Sequence, residues 1–138
     1  MTFRSQFEQL LHAASAQPEP QRLLFVFAGA ELPADATPAQ RRQFEAGHGG
    51  TLDPLACVDK GLDDLTSFEA LVAESRHACP PWQVVFIAGL PGSNGQAPSA
   101  AMVDSALDAM VDGIRSGNFR GFLGLDPHGE PLTFLEEA

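Results

Sequence analysis

Four segments of the chain carry the signals of helices: residues 5–16, 37–47, 66–78 and 99–116. Ser5, Thr37 and Thr66 stand where an N-cap belongs, since their side-chain oxygens can accept the first unpaired backbone N–H groups of a helix. The segment 99–116 has the widest apolar face of the four. The pattern therefore predicts four helices.

Three short apolar runs predict strands: residues 22–28, 51–59 and 82–88. The first is continuously apolar, without the alternation of a strand that has one face in water. Continuous apolarity predicts strands covered on both faces, which is typical of parallel sheets. Pro54 indicates that the first half of the second run is irregular or lies at a sheet edge. "DPHG", residues 126–129, has the proline and glycine positions of a type I turn and predicts a hairpin near the C-terminal end.

The order of these elements predicts a single α/β domain over residues 1–138, with a mixed, mostly parallel sheet of about five strands and flanking helices. The halves at about 3–60 and 64–126 are alike, since "SQFEQLLHAASAQPEP" and "TSFEALVAESRHACPP" lie 61 residues apart. This likeness favours an internal αβαβ pseudo-repeat. Caps and prolines that any two α/β halves share would produce the same likeness.

Composition narrows the classes of partner. The chain of 138 residues carries a formal net charge of -10 with only 8 lysines and arginines, which repels nucleic acid and anionic membrane surfaces. Its longest apolar stretch, residues 23–30, is too short to span a bilayer, and the first residues lack an apolar signal core. Two cysteines fit a reducing compartment. We therefore expect a cytoplasmic protein that binds neither nucleic acid nor membranes.

The stretch "AGLPGSNGQAPS", residues 88–99, occupies the position of a phosphate-binding loop. A P-loop needs a lysine where Gln96 stands. Pro91 occupies a glycine position of both the dinucleotide-binding fingerprint and a nucleophile elbow around Ser93. These failures predict a solvent-facing, mobile loop, and leave open only a weak anion site at the start of the helix 99–116.

If the first and third strands are parallel, the loops that follow them meet at the carboxyl edge of the sheet, where open α/β sheets bind ligands. The candidate ligand-binding residues there are Glu31, Asp59, Ser93 and Asn94. Glu31 or Asp59 could serve as a general base. Surface carboxylates are usually only solvated, so we expect no catalytic residue among them.

The cysteines and histidines do not predict a metal or cofactor site. His77 and Cys79 with Cys57 give three ligands at irregular spacing, whereas zinc sites use four ligands that include closely spaced pairs. A redox pair of Cys57 and Cys79 is the alternative. The expected interpretation is two small, partly buried apolar side chains.

Asp104, Asp108 and Asp112 recur at every fourth residue and share one face of the helix 99–116. This stripe is a candidate surface for a basic partner. A solvated helix face is the simpler interpretation of the same pattern.

The pieces "LLFVFAGAELP" (23–33) and "CVDK" (57–60) resemble a family of short proteobacterial proteins that often carry the label ribonucleotide reductase subunit alpha. The likeness extends along most of the chain. It carries over no catalytic residue, because the reductase reaction needs a radical-forming cysteine beside a reducing pair and this chain has 2 cysteines.

Taken together, these patterns predict a small acidic protein without catalytic activity that acts as an interaction or regulatory module, with another protein or as a homodimer. The alternative is a small-ligand-binding protein or weak enzyme that uses the cleft at the carboxyl ends of the first and third strands.

Overall fold

The computed structural model describes residues 5–31, 37–45, 51–65, 67–119 and 121–132. Its helices are α1 (Gln6–Ser15), α2 (Pro38–Glu45), α3 (Phe68–Ala78) and α4 (Ala100–Arg115). Its strands are β1 (Gln21–Glu31), β2 (Thr51–Gly61), β3 (Val84–Pro91) and β4 (Leu123–Leu125), and a 3-10 turn at Leu62–Asp64 follows β2. None of the helices in these ranges is long and apolar enough to cross a membrane.

Serine side chains begin three of the helices. The hydroxyl oxygens of Ser5, Ser67 and Ser99 accept the backbone N–H groups of Glu8, Ala70 and Met102, at 3.1, 3.0 and 3.2 Å. The N-cap prediction for the first helix is thereby confirmed, and the cap at Ser99 is a finding of the structure. The cap of α3 is Ser67. The predicted cap, Thr66, lies outside the described residues, and Ser67 next to it is also a residue type that favours the N-cap position.

The sheet differs from the one predicted. Within the described ranges it has four strands in the order β2-β1-β3-β4, and every neighbouring pair is antiparallel. The prediction of a mostly parallel sheet of about five strands was therefore wrong. The helical connections α2 and α4 each join strands that are antiparallel neighbours, so the rule for parallel β-α-β crossovers does not govern them.

The strand direction was predicted wrongly because β1 and β3 are buried on both faces. Leu23 through Ala28 are all buried, as are Val84 through Ile87. Odd-numbered residues of both strands pack against α1 and α3, and even-numbered residues pack against α4. A strand between two helical layers is apolar at every position whether its neighbours are parallel or antiparallel. The resulting α+β fold has its core on both faces of one sheet.

The predicted turn at residues 126–129 is present. The N–H of Gly129 donates to the carbonyl of Asp126 at 2.9 Å, and Gly129 has a φ of +84°, which glycine adopts without strain. Among the described residues, the returning chain forms a bridge between Leu125 and Pro131, and the N–H of Leu132 donates to the carbonyl of Gly124. Residues 133–138, where the predicted hairpin continues, lie outside the described residues.

Each half of the chain has the element order helix, strand, helix, strand. The strand order is also symmetric, since β1 and β3 are the central pair and β2 and β4 lie outside them. A true repeat of residues 3–60 and 64–126 stays a prediction.

Candidate functional site

The residues of the predicted cleft are not brought together. β1 and β3 are antiparallel, and Gln21 at the start of β1 pairs with Pro91 at the end of β3. Glu31 ends β1 at the opposite end of the sheet from Ser93 and Asn94. The separation is about 30 Å, since ten strand residues rise about 3.3 Å each. The ligand-binding alternative that depended on this cleft is therefore withdrawn.

The loop after β3 forms a hydrogen-bonded turn. Ser93 and Gln96 exchange backbone hydrogen bonds of 3.0 and 2.9 Å, while Asn94 and Gly95 have φ values of +53° and +76°. Positive φ at both central residues is typical of a tight type I′ hairpin turn. The N–H of Gly95 also donates to a carboxylate oxygen of Glu19 at 2.8 Å. A carboxylate of the chain itself thus binds this amide of the loop.

Asp59 lies in the middle of β2 and forms an ion pair with Arg22 of β1. Their side chains are 31% and 34% exposed, so water screens the pair and its contribution to stability is at most about 1 kcal/mol. The Arg22 guanidinium binds the carboxylate of Asp59. An aspartate held in this ion pair does not supply a general base.

Asp104, Asp108 and Asp112 are all exposed on the face of α4 that points away from the sheet. The opposite face is buried through Val103, Leu107, Met110 and Ile114. The shared face was expected from the spacing, and its role as a binding surface stays a prediction.

The outer edge of β2 presents main-chain groups that pair with no strand of the described residues. The N–H of Gly92 donates to the carbonyl of Pro20 at 2.8 Å, and that of Gln83 donates to the carbonyl of Ala28 at 3.0 Å. Even-numbered residues of β1 therefore direct their main-chain groups toward β3, and odd-numbered residues direct theirs toward β2.

The register then fixes which residues of β2 face outward. Phe25 pairs with Val58, and Leu23 pairs with Lys60, so Val58 and Lys60 direct their N–H and C=O groups toward β1. Cys57 and Asp59 alternate with them and direct theirs away from the sheet. No strand within the described ranges pairs with this side of β2.

The chain blocks strand pairing on both sides of the segment of β2 that contains Cys57 and Asp59. Pro54 has no N–H, and the register of β2 shifts between Ala56 and Pro54 at a β-bulge. At the other end the N–H of Gly61 donates to the carboxylate of Asp64 at 3.3 Å. The open edge, defined as the outward main-chain groups of Cys57 and Asp59, lies between these two blocks.

An apolar pocket adjoins the open edge. It lies between β2 and α3 and has a volume of about 70 Å³. Its walls are Phe27, Ala56, Cys57, Val58, Leu71, Glu74, Ser75, Ala78 and Cys79. Ala56 and Val58 are only half-buried although they face the α3 layer, because no further strand of the described ranges covers that layer at the edge. We call this cavity the edge pocket.

A buried hydrogen-bond chain holds one wall of the edge pocket in place. The indole N–H of Trp82 donates to the Ser75 hydroxyl at 2.8 Å, and that hydroxyl donates to the carbonyl of Val72 at 2.6 Å. The Trp82 ring also packs against Phe27, with 5.1 Å between ring centroids. These contacts fix α3 relative to the chain that leads into β3.

The two cysteines lie on different faces of the sheet. Cys57 is exposed and pairs with Val26, whose side chain faces α4. Cys79 is half-buried among the residues of the α1 and α3 layer, and this burial raises the pKa of its thiol. A disulfide between them would have to cross the sheet. Within the described residues, no group of three or more metal-ligating side chains could hold an ion.

Carboxylates outnumber cations around the open edge. Residues 51–64 contain four aspartates and one lysine. The lysine is Lys60, which forms an ion pair with Glu74 of α3 at 2.9 Å. Asp53 and Asp63 are exposed. Arg22 pairs with Asp59, so the unpaired charges among these residues are carboxylates and the edge is negatively charged.

A second, wider groove lies on the other side of Cys79. Its volume is about 460 Å³, and it is lined by Val72, Arg76, Cys79, Pro80, Pro81, Trp82 and Pro127. It adjoins no open strand edge of the described ranges. The smaller edge pocket is therefore the stronger candidate, because an apolar cavity and unpaired main-chain groups occur together there.

The sequence contained one signal for this site. Pro54 indicated an edge or irregular strand, and the structure shows both an edge strand and a bulge there. The edge pocket had no such signal, because it depends on how α3 packs against β2.

No protein family, curated protein or solved structure matches this chain. The resemblance to the reductase-labelled family stays a prediction.

Proposed function

We propose that this protein is a non-catalytic interaction module that binds a partner protein by adding an extended segment of that partner to β2. The observation that carries the proposal is the open edge beside the edge pocket. A segment that pairs with Cys57 and Asp59 would form hydrogen bonds to the N–H and C=O groups of both residues.

Strand addition is a common mode of peptide recognition, in which main-chain hydrogen bonds supply affinity and side-chain pockets supply specificity. Both parts occur at β2. The site offers main-chain amides, carbonyls and a mostly apolar cavity, and its carboxylates, Asp59 and Glu74, are in ion pairs, so its groups suit binding better than proton transfer. This favours a binding role over a catalytic one.

The proposal is tested with random linear nonapeptides displayed on phage, selected against the full-length protein. Selected peptides are then measured against Cys57→Pro, which removes the outward N–H of Cys57 and leaves the hydrogen bonds to β1 in place. The matched control is Cys57→Ala, which removes the thiol and keeps the N–H.

We expect enriched peptides that bind the wild type and Cys57→Ala equally and lose binding to Cys57→Pro. Circular dichroism and the melting temperature of Cys57→Pro verify that the variant is folded. Peptides that bind Cys57→Pro as well as the wild type would contradict strand addition at β2. Failure to enrich any peptide would contradict it as well.

A further inference from the structure

We infer that the partner segment is basic and inserts one branched aliphatic side chain into the edge pocket. This inference rests on the proposed function and adds the chemistry of the partner. It follows from the pleat of β2, the size of the edge pocket and the charge of its surroundings.

The pleat determines which side chain of the added strand reaches the pocket. Val58 faces the α3 layer, and its main-chain groups point toward β1. A residue of the added strand directly opposite Val58 would form a non-hydrogen-bonded pair with it, in which side chains lie closest together. Its side chain would project on the same face as Val58. The edge pocket lies there, between Val58 and α3.

The size of the pocket selects the kind of side chain. Its volume of about 70 Å³ is roughly half that of an engineered cavity of about 150 Å³ that holds benzene. An aromatic ring is therefore too large. Leu71, Ala78 and Val58 make the walls mostly apolar, so a polar side chain would lose its hydrogen bonds to water without replacement. Valine or isoleucine fits both conditions.

The charge around the open edge selects the residues on either side. Asp53 and Asp63 are exposed, and Glu74 at the pocket is 57% exposed although it pairs with Lys60. With the net charge of -10, these carboxylates attract a segment that carries lysine or arginine and repel an acidic one.

The test uses the nonapeptides selected above and two variants of α3. Ala78 is exposed at the edge pocket, so Ala78→Leu fills the pocket from its mouth without changing a buried residue. Ala73 is exposed on the same helix and does not line the pocket, so Ala73→Leu is the matched control. Equal melting temperatures of the two variants would show that Ala78→Leu is folded.

We expect the selected sequences to share valine or isoleucine at one position, with lysine or arginine within two residues of it. Isothermal titration calorimetry should show binding weakened about tenfold or more by Ala78→Leu, because burial of one aliphatic side chain is lost, and unchanged binding to Ala73→Leu. Raising the salt concentration should weaken the binding of the selected peptides to the wild type, because salt screens the attraction between charges.

Three results would overturn the inference. The first is a shared aromatic or acidic position in the selected peptides. The second is equal binding to Ala78→Leu and the wild type; if Cys57→Pro still abolishes binding, strand addition stands and only the pocket assignment falls. The third is a dimer in sedimentation analysis that Cys57→Pro dissociates, because a second copy of this acidic chain would then occupy the open edge.

Discussion

The two edge strands of the sheet, β4 and β2, differ in how the chain covers their outer sides. β4 has three residues, and the chain turns back after it so that the N–H of Leu132 donates to the carbonyl of Gly124 at 2.9 Å. β2 has eleven residues, and the outward groups of Cys57 and Asp59 pair with no strand in the part of the chain that the structure describes. Among the described residues, the chain closes one edge and leaves a short part of the other open.

This difference matters because an unpaired strand edge promotes aggregation unless it is short, charged or interrupted. β2 is long, but Pro54 and the bulge interrupt it, the N–H of Gly61 is bonded to Asp64, and Asp59 adds a charge. They flank the open edge and confine it to two outward residues. A short, guarded gap of this kind accepts one added strand and resists growth into a larger sheet.

Two adjacent proline substitutions should give the largest contrast. Val58→Pro removes an N–H that bonds to β1, so the free energy of unfolding should fall by about 3 kcal/mol. Cys57→Pro removes an outward N–H and should cost less than about 1 kcal/mol. Urea denaturation measures both values. Equal losses would show that the N–H of Cys57 is bonded within the protein and that the edge is closed.

Removing the Ser75 hydroxyl should have the next largest effect. Ser75 and Trp82 are 4% and 8% exposed, so Ser75→Ala leaves the indole N–H of Trp82 buried and unpaired. We expect a loss of about 2 kcal/mol in the free energy of unfolding. In a Trp82→Phe background, which lacks the N–H, the same change should cost less. An equal cost in both backgrounds would contradict the role of this bond at the edge pocket.

A proline at the closed edge should have a smaller effect than Val58→Pro. Leu132→Pro removes the N–H that bonds to Gly124, and the net value of one such bond is about 1 kcal/mol. Amide exchange should also accelerate in residues 123–125. Unchanged exchange there would mean that another part of the chain covers this edge.

The cysteines provide the smallest expected effect, a difference in reaction rate. Burial raises the pKa of the Cys79 thiol, so at a given pH a smaller fraction of it is the reactive thiolate. Cys57 is exposed and should react first with iodoacetamide, while Cys79 should need a higher pH to reach the same rate. Mass spectrometry of tryptic peptides measures both rates. Faster modification of Cys79 at neutral pH would contradict its placement beside the edge pocket.

Local signals in the sequence predicted most elements of the fold. The cap at Ser5 and the turn at residues 126–129 depend on near neighbours in the chain, and the structure has both. Strand direction depends on the whole sheet. Both faces of β1 are covered, so its apolar run carried no information about the direction of β3.

The sequence predicted the candidate site only at Pro54, where a single residue restricts the hydrogen bonds that the backbone can form. Pro54 indicated an edge through its missing N–H alone. Glu31, Asp59, Ser93 and Asn94 were grouped through the assumed parallel pairing, and the group separated when that pairing proved wrong. The edge pocket requires α3 to pack beside an edge strand, which no spacing in the sequence reveals.

Amide hydrogen exchange followed residue by residue along β2 tests the central claim most directly. The N–H groups of Ala56, Val58 and Lys60 point toward β1 and should be protected, whereas those of Cys57 and Asp59 should exchange rapidly in the free protein. Adding a selected peptide should protect Cys57 and Asp59. Protection of Cys57 and Asp59 equal to that of Val58 in the free protein would contradict an open edge.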